Sequence, residues 1–284
     1  VKRIAFVTCS TKPDFADDDL GTAKLLRQRG ISVQPIPWDG DQINWQSFDE
    51  VIVRSCWNYH LHPNKFTEWL DALKAQHVNL FNPVNVIQRN LHKKYLQSLS
   101  QQGVPLPPTA WLAKGTSLNL ASFMEEKDWQ KAVVKPAISA TAHNTFVSTL
   151  SEAAHHQEAF NTLLIQNDLL VQKFMDEVQQ EGEWSLIYFN KKFSHAVLKK
   201  PAKDDFRVQD NFGGTSNLQN PPQFALRQAE KIFSLIDEPL LYARVDGIIS
   251  NDQFLLMELE LIEPVLFLTH SEKATHKFVG EILS

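Results

Sequence analysis

The sequence predicts a parallel α/β unit at the front of the chain followed by an α+β region, and three observations carry that reading. Over residues 1–90, β-branched runs alternate with helical segments, the order that makes parallel βαβ units in an open sheet. A proline-rich stretch, Val104-Pro105-Leu106-Pro107-Pro108, then interrupts the pattern, because proline lacks an N–H and biases the residue before it away from the helix. Beyond that boundary strands come in adjacent pairs separated by helical blocks, which is the mark of antiparallel hairpins.

Arg3 to Cys9 is the first strand, a β-branched and aromatic run. Asp17-Asp18-Asp19 opens a helix through Leu20, Ala23, Leu26 and Arg29, and Gly30 ends it, since glycine accepts the left-handed conformation after a helix. Ile31 to Ile36 and Val51-Ile52-Val53 are the next strands. Phe66, Trp69, Leu70 and Leu73 then fall at the i, i+3, i+4, i+7 spacing of an amphipathic helix between Asn64 and Gln76. Asn90 to Gln102 reads as a further helix, stopped at Gly103. In the second region Ala132 to Lys135 and Asn144 to Thr149 pair around a short loop, and Leu169 to Phe174 is another strand. Glu183 to Asn190 and Lys192 to Lys199 form a hairpin. A helix from Pro222 to Ile236 precedes a last hairpin, Tyr242 to Ile249 with Gln253 to Leu261.

The chain has 284 residues, 28 Lys+Arg against 33 Asp+Glu and a formal charge of -5. That balance argues against nucleic acid as a partner, which calls for a basic face. No apolar run approaches the ~18–20 residues needed to span a bilayer, nothing near Val1 reads as a signal peptide, and Cys9 and Cys56 are too few for a disulfide framework. A cytoplasmic setting is the default expectation, and a homodimer the default assembly.

Four constellations bear chemistry. Asp246 and, twelve residues on, Glu258 and Glu260 lie on the two strands of the last hairpin. Strand alternation puts Glu258 and Glu260 on one face, with Met257, Leu259 and Leu261 on the other. Three such carboxylates suit Mg²⁺; the same spacing also fits an exposed acidic strand face. Lys135 ends a very apolar strand, where a buried charge calls for an anion, and Lys93 lies on a helix. The loop after Lys135, Ala137 to Thr145, is small and polar but contains no glycine, so it fails any Gly-rich phosphate motif. Arg207 and Arg244 are forks suited to phosphoryl or carboxylate oxygens. Arg54 and Ser55 follow the carboxyl end of a parallel strand, where open α/β sheets bind ligands, and Arg54 suits a substrate carboxylate. Cys9 and Cys56 lack a base partner and are not read as nucleophiles.

The order of these pieces resembles the ATP-grasp superfamily, particularly glutathione-synthetase-like carboxylate–amine ligases. The phrases Val53 to His60 (VRSCWNYH), Glu181 to Ser185 (EGEWS), Asp205 to Gln209 (DFRVQ) and Met257 to Pro264 (MELELIEP) are similar to the branch that contains the D-cycloserine-forming O-ureidoserine cyclo-ligase. The resemblance implies a pre-ATP-grasp, Rossmann-like domain over 1–90 that forms part of the substrate site. It also implies a central subdomain over 91–172 with the phosphate lysines and a C-terminal subdomain over 173–284 with the acidic hairpin. It further implies that Lys93 and Lys135 hold ATP phosphates, that Gln172, Lys173, Phe174 and Met175 present backbone to adenine, and that Glu177 or a nearby acid meets the ribose. Asp246, Glu258 and Glu260 would hold two Mg²⁺, and Arg207 and Arg244 would stabilise the transferred phosphoryl group. The implied activity joins small-molecule carboxylate and amine substrates through an acyl phosphate. An ATP-grasp kinase and a non-catalytic nucleotide binder share the same nucleotide residues, and neither the substrate pair nor the choice between cyclisation and intermolecular ligation is written in the sequence.

Overall fold

In the computed structural model, which describes residues 1–202 and 213–284, the alternating front segment forms a four-stranded sheet. Its strands are β1 (Arg3–Thr8), β2 (Ser32–Pro37), β3 (Glu50–Val53) and β4 (Leu80–Phe81), all parallel, in the order β2-β1-β3-β4. Both faces of β1 are covered. Ile4 and Phe6 pack on the helix Asp17–Gln28 and the C-terminal helix Glu272–Ile282, and Ala5 and Val7 on the helix Pro63–Ala75. A parallel strand buried on two sides has no polar face to alternate with, which is why it reads as a continuous apolar run. Gly30 has φ +78° and ends the first helix as expected.

A second sheet, in the order β5-β8-β6-β7, contains β5 (Thr109–Leu112), β6 (Lys131–Pro136), β7 (Phe146–Thr149) and β8 (Leu169–Lys173). Its pairings are antiparallel. The helices Leu120–Glu126 and Ala153–Gln166 back it through Leu120, Met124, Phe160 and Leu164. The third sheet, β11-β10-β9-β12-β13, is antiparallel throughout. It comprises β9 (Glu183–Phe189), β10 (Lys192–Lys200), β11 (Thr215–Leu218), β12 (Tyr242–Ser250) and β13 (Gln253–Glu260). Both expected hairpins are present, and their turn residues Asn190-Lys191 and Asn251-Asp252 all have positive φ, as tight two-residue turns require.

One departure from simple alternation shapes the site. Register shifts between Asp246 and Gly247, so that Asp246 faces Glu258 while Gly247 faces Leu256, and Met257 is the extra residue of a bulge. The bulge reverses parity along β13. Phe254 and Leu256 before it and Leu259 and Leu261 after it all enter one core, while Glu258 and Glu260 are released to the opposite face. Met257 therefore does not share the core face of Leu259. It packs with Met175, Val178, Ile248 and Leu255 instead. A Cβ at Gly247 would lie 2.4 Å from Phe254 and 2.6 Å from the Leu255 carbonyl, so the bulge closes only on glycine.

The first and third sheets are stitched by buried polar contacts. Asn82 donates to the carbonyls of Tyr242 and Leu261 and accepts from the Leu241 amide, at 2.8–2.9 Å. The Tyr242 hydroxyl donates to Val53 O at 2.5 Å, and Ile262 O lies 2.7 Å from it. Asp18 accepts from the amides of Leu266 and Leu268 at 2.7 and 2.6 Å. Among the described residues no helix is long and apolar enough to cross a membrane.

Candidate active site

A cavity of about 620 Å³ opens where the three sheets meet. The first sheet contributes Cys9, Thr11, Lys12, Trp57, Asn58 and Tyr59, which follow the carboxyl ends of β1 and β3. The second contributes Val133, Lys135, Gln172 to Met175 and the loop residues Ser139 to Ala142. The third contributes Glu183, Lys199, Arg244, Asp246 and Met257 to Glu260. Residues more than a hundred positions apart therefore face one space.

Lys93 reaches it through a break in the chain. The helix expected over Asn90 to Gln102 is two helices, Val84–Asn90 and Lys94–Gln101, with Lys93 at the cap between them. The break has visible causes. Asn90 turns its amide to β13, donating to Leu259 O at 2.9 Å and accepting from Leu261 N at 3.0 Å, and the Lys93 amide donates to Ala137 O at 2.8 Å. Lys93 Nζ then lies 3.0 Å from Glu258 Oε1 and donates to Ser139 O at 2.8 Å. Lys135 projects from β6 and meets Gln172 Oε1 at 3.4 Å; Gln172 is itself fixed by donating to Thr109 Oγ1 at 2.8 Å. Burial lowers the Lys135 pKa below the ordinary lysine value, and neighbouring Lys93 pushes the same way.

Arg244 forks between carboxylates, meeting Asp246 at 2.9 Å and Glu260 in a short contact, and it donates to Val265 O at 2.9 Å. Asp246 also accepts from Ser185 and lies 3.7 Å from Lys199, which pairs with Glu183 at 2.5 Å. Burial pushes the Asp246 pKa up, but Arg244 and Lys199 together hold it below the ordinary value. Glu258 is lowered on the same balance, by Lys93 and Lys135. Glu260 goes the other way, to about 7, because burial is joined by repulsion from Asp246 and Glu258. Among the described residues no group of three or more His, Cys, Asp or Glu side chains is gathered as a metal centre. Each of the three carboxylates is instead engaged by a guanidinium or ammonium group of the protein. Their chemistry nonetheless fits a hard cation, being oxygen donors on one cavity whose charge already demands compensation.

The apolar end of the cavity is lined by Val133, Phe174, Met175, Val178 and Met257. The amides of Lys173 and Phe174 are given to Pro108 O at 2.8 Å and Lys131 O at 2.9 Å, so these two donors are committed within the protein. Glu177 is not on the cavity; it accepts from Ser250 at 2.5 Å, and the acid that faces the space is Glu183. Arg54 is also placed elsewhere. It is 2% exposed, bonds Asp19 at 2.7 Å, lies 3.8 Å from Asp18, and stacks near Tyr242 and Phe278. The acids of the first helix claim the fork that a substrate carboxylate was expected to meet. Ser55 is buried beside it and lines a neighbouring cavity. Arg207 lies outside the described residues. Cys9 and Cys56 are free and buried, and burial drives the Cys56 thiol well above its ordinary value, consistent with no role as a nucleophile.

Two features escape the sequence reading. Glu263, buried and on the cavity, has its pKa pushed up to about 8 by burial and by repulsion from Glu260. The glycine-free loop after Lys135 places Thr141, Ala142 and Asn144 at φ +52°, +56° and +55°, a region that costs an ordinary residue ~1–2 kcal/mol. The His143 ring of that loop lies 5.1 Å from the His60 ring, tilted 54° to it. Burial, with His143 beside it, lowers the His60 pKa from 6.5 to about 4. As pH falls from 6.5 toward 4 the unfolded chain takes up this proton before the folded one, so stability falls over that window. Replacing His60 with glutamine is expected to flatten the slope of the unfolding midpoint against pH there.

Residues 4–82 match the family model described as the D-cycloserine synthetase DcsG N-terminal domain. The cycloserine biosynthesis protein DcsG of Streptomyces lavendulae is 27% identical over 293 aligned positions, covering 97% of this chain and 96% of that one. The crystal structure of D-cycloserine synthetase DcsG superposes with a TM-score of 0.85 at 24% identity, covering 99% and 98% of the two chains. D-alanine–D-alanine ligase from Bacillus anthracis, complexed with ATP, superposes with a TM-score of 0.72 at 14% identity, covering 100% and 96%. The chain has the fold of these ATP-grasp ligases, and along almost its entire length it is similar to the D-cycloserine synthetase DcsG.

Proposed function

We propose that the protein is an ATP-dependent ligase that forms a C–N bond through an acyl phosphate, on a small amino-acid-like or peptide-like substrate. One observation carries the reading: Lys93, Lys135 and the carboxylates Asp246, Glu258 and Glu260 line a single cavity. Lys93 and Lys135 take the phosphate oxygens, the Phe174–Met175 end with Val133 and Met257 receives the adenine, and Glu183 is the acid placed for the ribose. Asp246, Glu258 and Glu260 would hold Mg²⁺, two ions in the fullest form, which would supply neutralising charge for the phosphate oxygens. Arg244, with Arg207 by resemblance, steadies the phosphoryl group in transfer. The residues after β1 and β3 form the acceptor end.

A substrate carboxylate oxygen attacks the γ-phosphorus; a new P–O bond forms, the bond to the β–γ bridging oxygen breaks, and ADP leaves. An amine nitrogen, of the same molecule or another, then attacks the acyl carbon, phosphate departs with the bonding electrons, and the nitrogen loses a proton. Free carboxylate would have to expel oxide, whereas the acyl phosphate expels phosphate. The chain's own contribution is positioning and charge neutralisation, which requires no protein nucleophile.

The test is Mg²⁺-dependent ADP release over amino acids, ureido acids and small peptides, with product masses recorded. Loss of one water from a single substrate indicates cyclisation, and two substrates minus water indicates ligation. A phosphorylated product without a C–N bond would make the protein a kinase. Nucleotide binding without ADP release across the panel would make it a non-catalytic binder.

A further inference from the structure

Five carboxylates line the cavity: Glu183, Asp246, Glu258, Glu260 and Glu263. Four of them have a cationic partner within the protein, Glu183 in Lys199, Asp246 and Glu260 in Arg244, and Glu258 in Lys93. Glu263 has none among the described residues, although it is only 8% exposed. A carboxylate out of water and without a counter-charge is costly enough that proteins pair it.

Its surroundings say which end of the cavity it serves. The Glu263 carbonyl accepts from Trp57 Nε1 at 3.3 Å, so its backbone is docked on the first sheet's loop, away from the Phe174–Met175 end. Glu263 also acts electrostatically on Cys56 and Tyr59, which belong to that same loop region. The cation whose charge acts on Glu263 is Lys93, which is already paired with Glu258, and the exposed Lys12 lies 4.8 Å from the Trp57 ring centre, with no ion pair to Glu263. Trp57 and Tyr59 line this end, and aromatic rings tolerate a cation beside them.

We propose that Glu263 is the receptor for an ammonium group of the substrate, so that the ligase accepts amino-acid-like molecules and rejects the corresponding acids without a free amine. The proposal rests on the ligase reading and narrows its substrate class. The bound ammonium supplies the ion pair that no described residue gives this one carboxylate, and it holds the substrate with its carboxylate toward Lys93 and Lys135.

The experiment uses matched probes with MgATP: alanine and serine of both hands and β-alanine, against propionate, 3-hydroxypropionate and the N-acetyl amino acids. ADP release is followed for the wild type, Glu263→Gln and Glu263→Asp. The expected result is ADP release only from probes with a free amine. The Gln protein should show a KM for the accepted amino acid raised roughly 10- to 100-fold, with KM for ATP unchanged and the Asp protein in between. Should the Gln protein fail to fold, the wild-type contrast between amine and des-amino probes decides alone. Equal ADP release from the des-amino or N-acetyl probes, or a wild-type KM in a folded Gln protein, overturns the ammonium site while leaving the ligase reading standing. ADP from none of these probes overturns this proposal, and the ligase reading falls with it only where the ureido acids and small peptides of the wider panel give no ADP either.

Discussion

A Glu258→Ala protein is expected to release ADP roughly 100- to 1,000-fold more slowly than the wild type, the usual cost of losing one preorganised charge-stabilising group. Glu258 faces Asp246 across the β12–β13 pairing and holds Lys93 at 3.0 Å, so its removal takes one carboxylate from the proposed cation site and loosens a phosphate lysine together. Some stability goes as well, because Lys93 is 6% exposed and among the described residues keeps only Ser139 as side-chain partner. Single-turnover ADP release and the thermal midpoint separate the two effects. A folded Ala protein with the wild-type rate would remove Glu258 from the mechanism.

The second large effect falls on a residue outside the cavity. Arg54→Ala is expected to destabilise the fold by ~3–5 kcal/mol, the cost of stranding one member of a buried ion pair. Asp19, 1% exposed, would lose the guanidinium that compensates it, and Tyr242 and Phe278 would lose the cation they pack against. Asp19→Asn should show a related loss, and the double variant should lose less than the sum of the two, since the interaction can be removed only once. The denaturant midpoint reads this. A midpoint close to the wild type with a raised KM for the carboxylate substrate would return Arg54 to substrate binding.

Arg54 also shows where sequence reasoning stops. An arginine at the end of a parallel strand is read against its own neighbours, but its partner is an aspartate 35 residues earlier, brought alongside only by folding. Glu263 was hidden for a related reason. In the run Met257 to Pro264 every acid looks alike, and which of them lacks a counter-charge depends on Lys93, Arg244 and Lys199. What was legible had a local cause: both antiparallel hairpins, the parallel front sheet, and the placing of Glu258 and Glu260 on one face. Even there the bulge at Met257 went unseen, since two apolar stretches of opposite parity, Phe254 and Leu256 against Leu259 and Leu261, are its only trace. The helix Ala153–Gln166 lacks a sharp apolar stripe, with only Ala153, Phe160 and Leu164 buried. The 3₁₀ turn Leu150–Glu152 that leads into it is closed by a capping box of Thr149 and Glu152.

The stitching of the first sheet to the third limits how the protein can open. Parting those two layers would strand the Asn82 amide, the Tyr242 hydroxyl and the Asp18 carboxylate, all at least nine-tenths buried, without partners, each at ~1–3 kcal/mol. These layers behave as one anvil. On the ligase reading, admission of nucleotide and departure of product are then expected to fall to the second sheet, which carries Lys135 and the Ser139–Ala142 loop opposite the acids of β12 and β13.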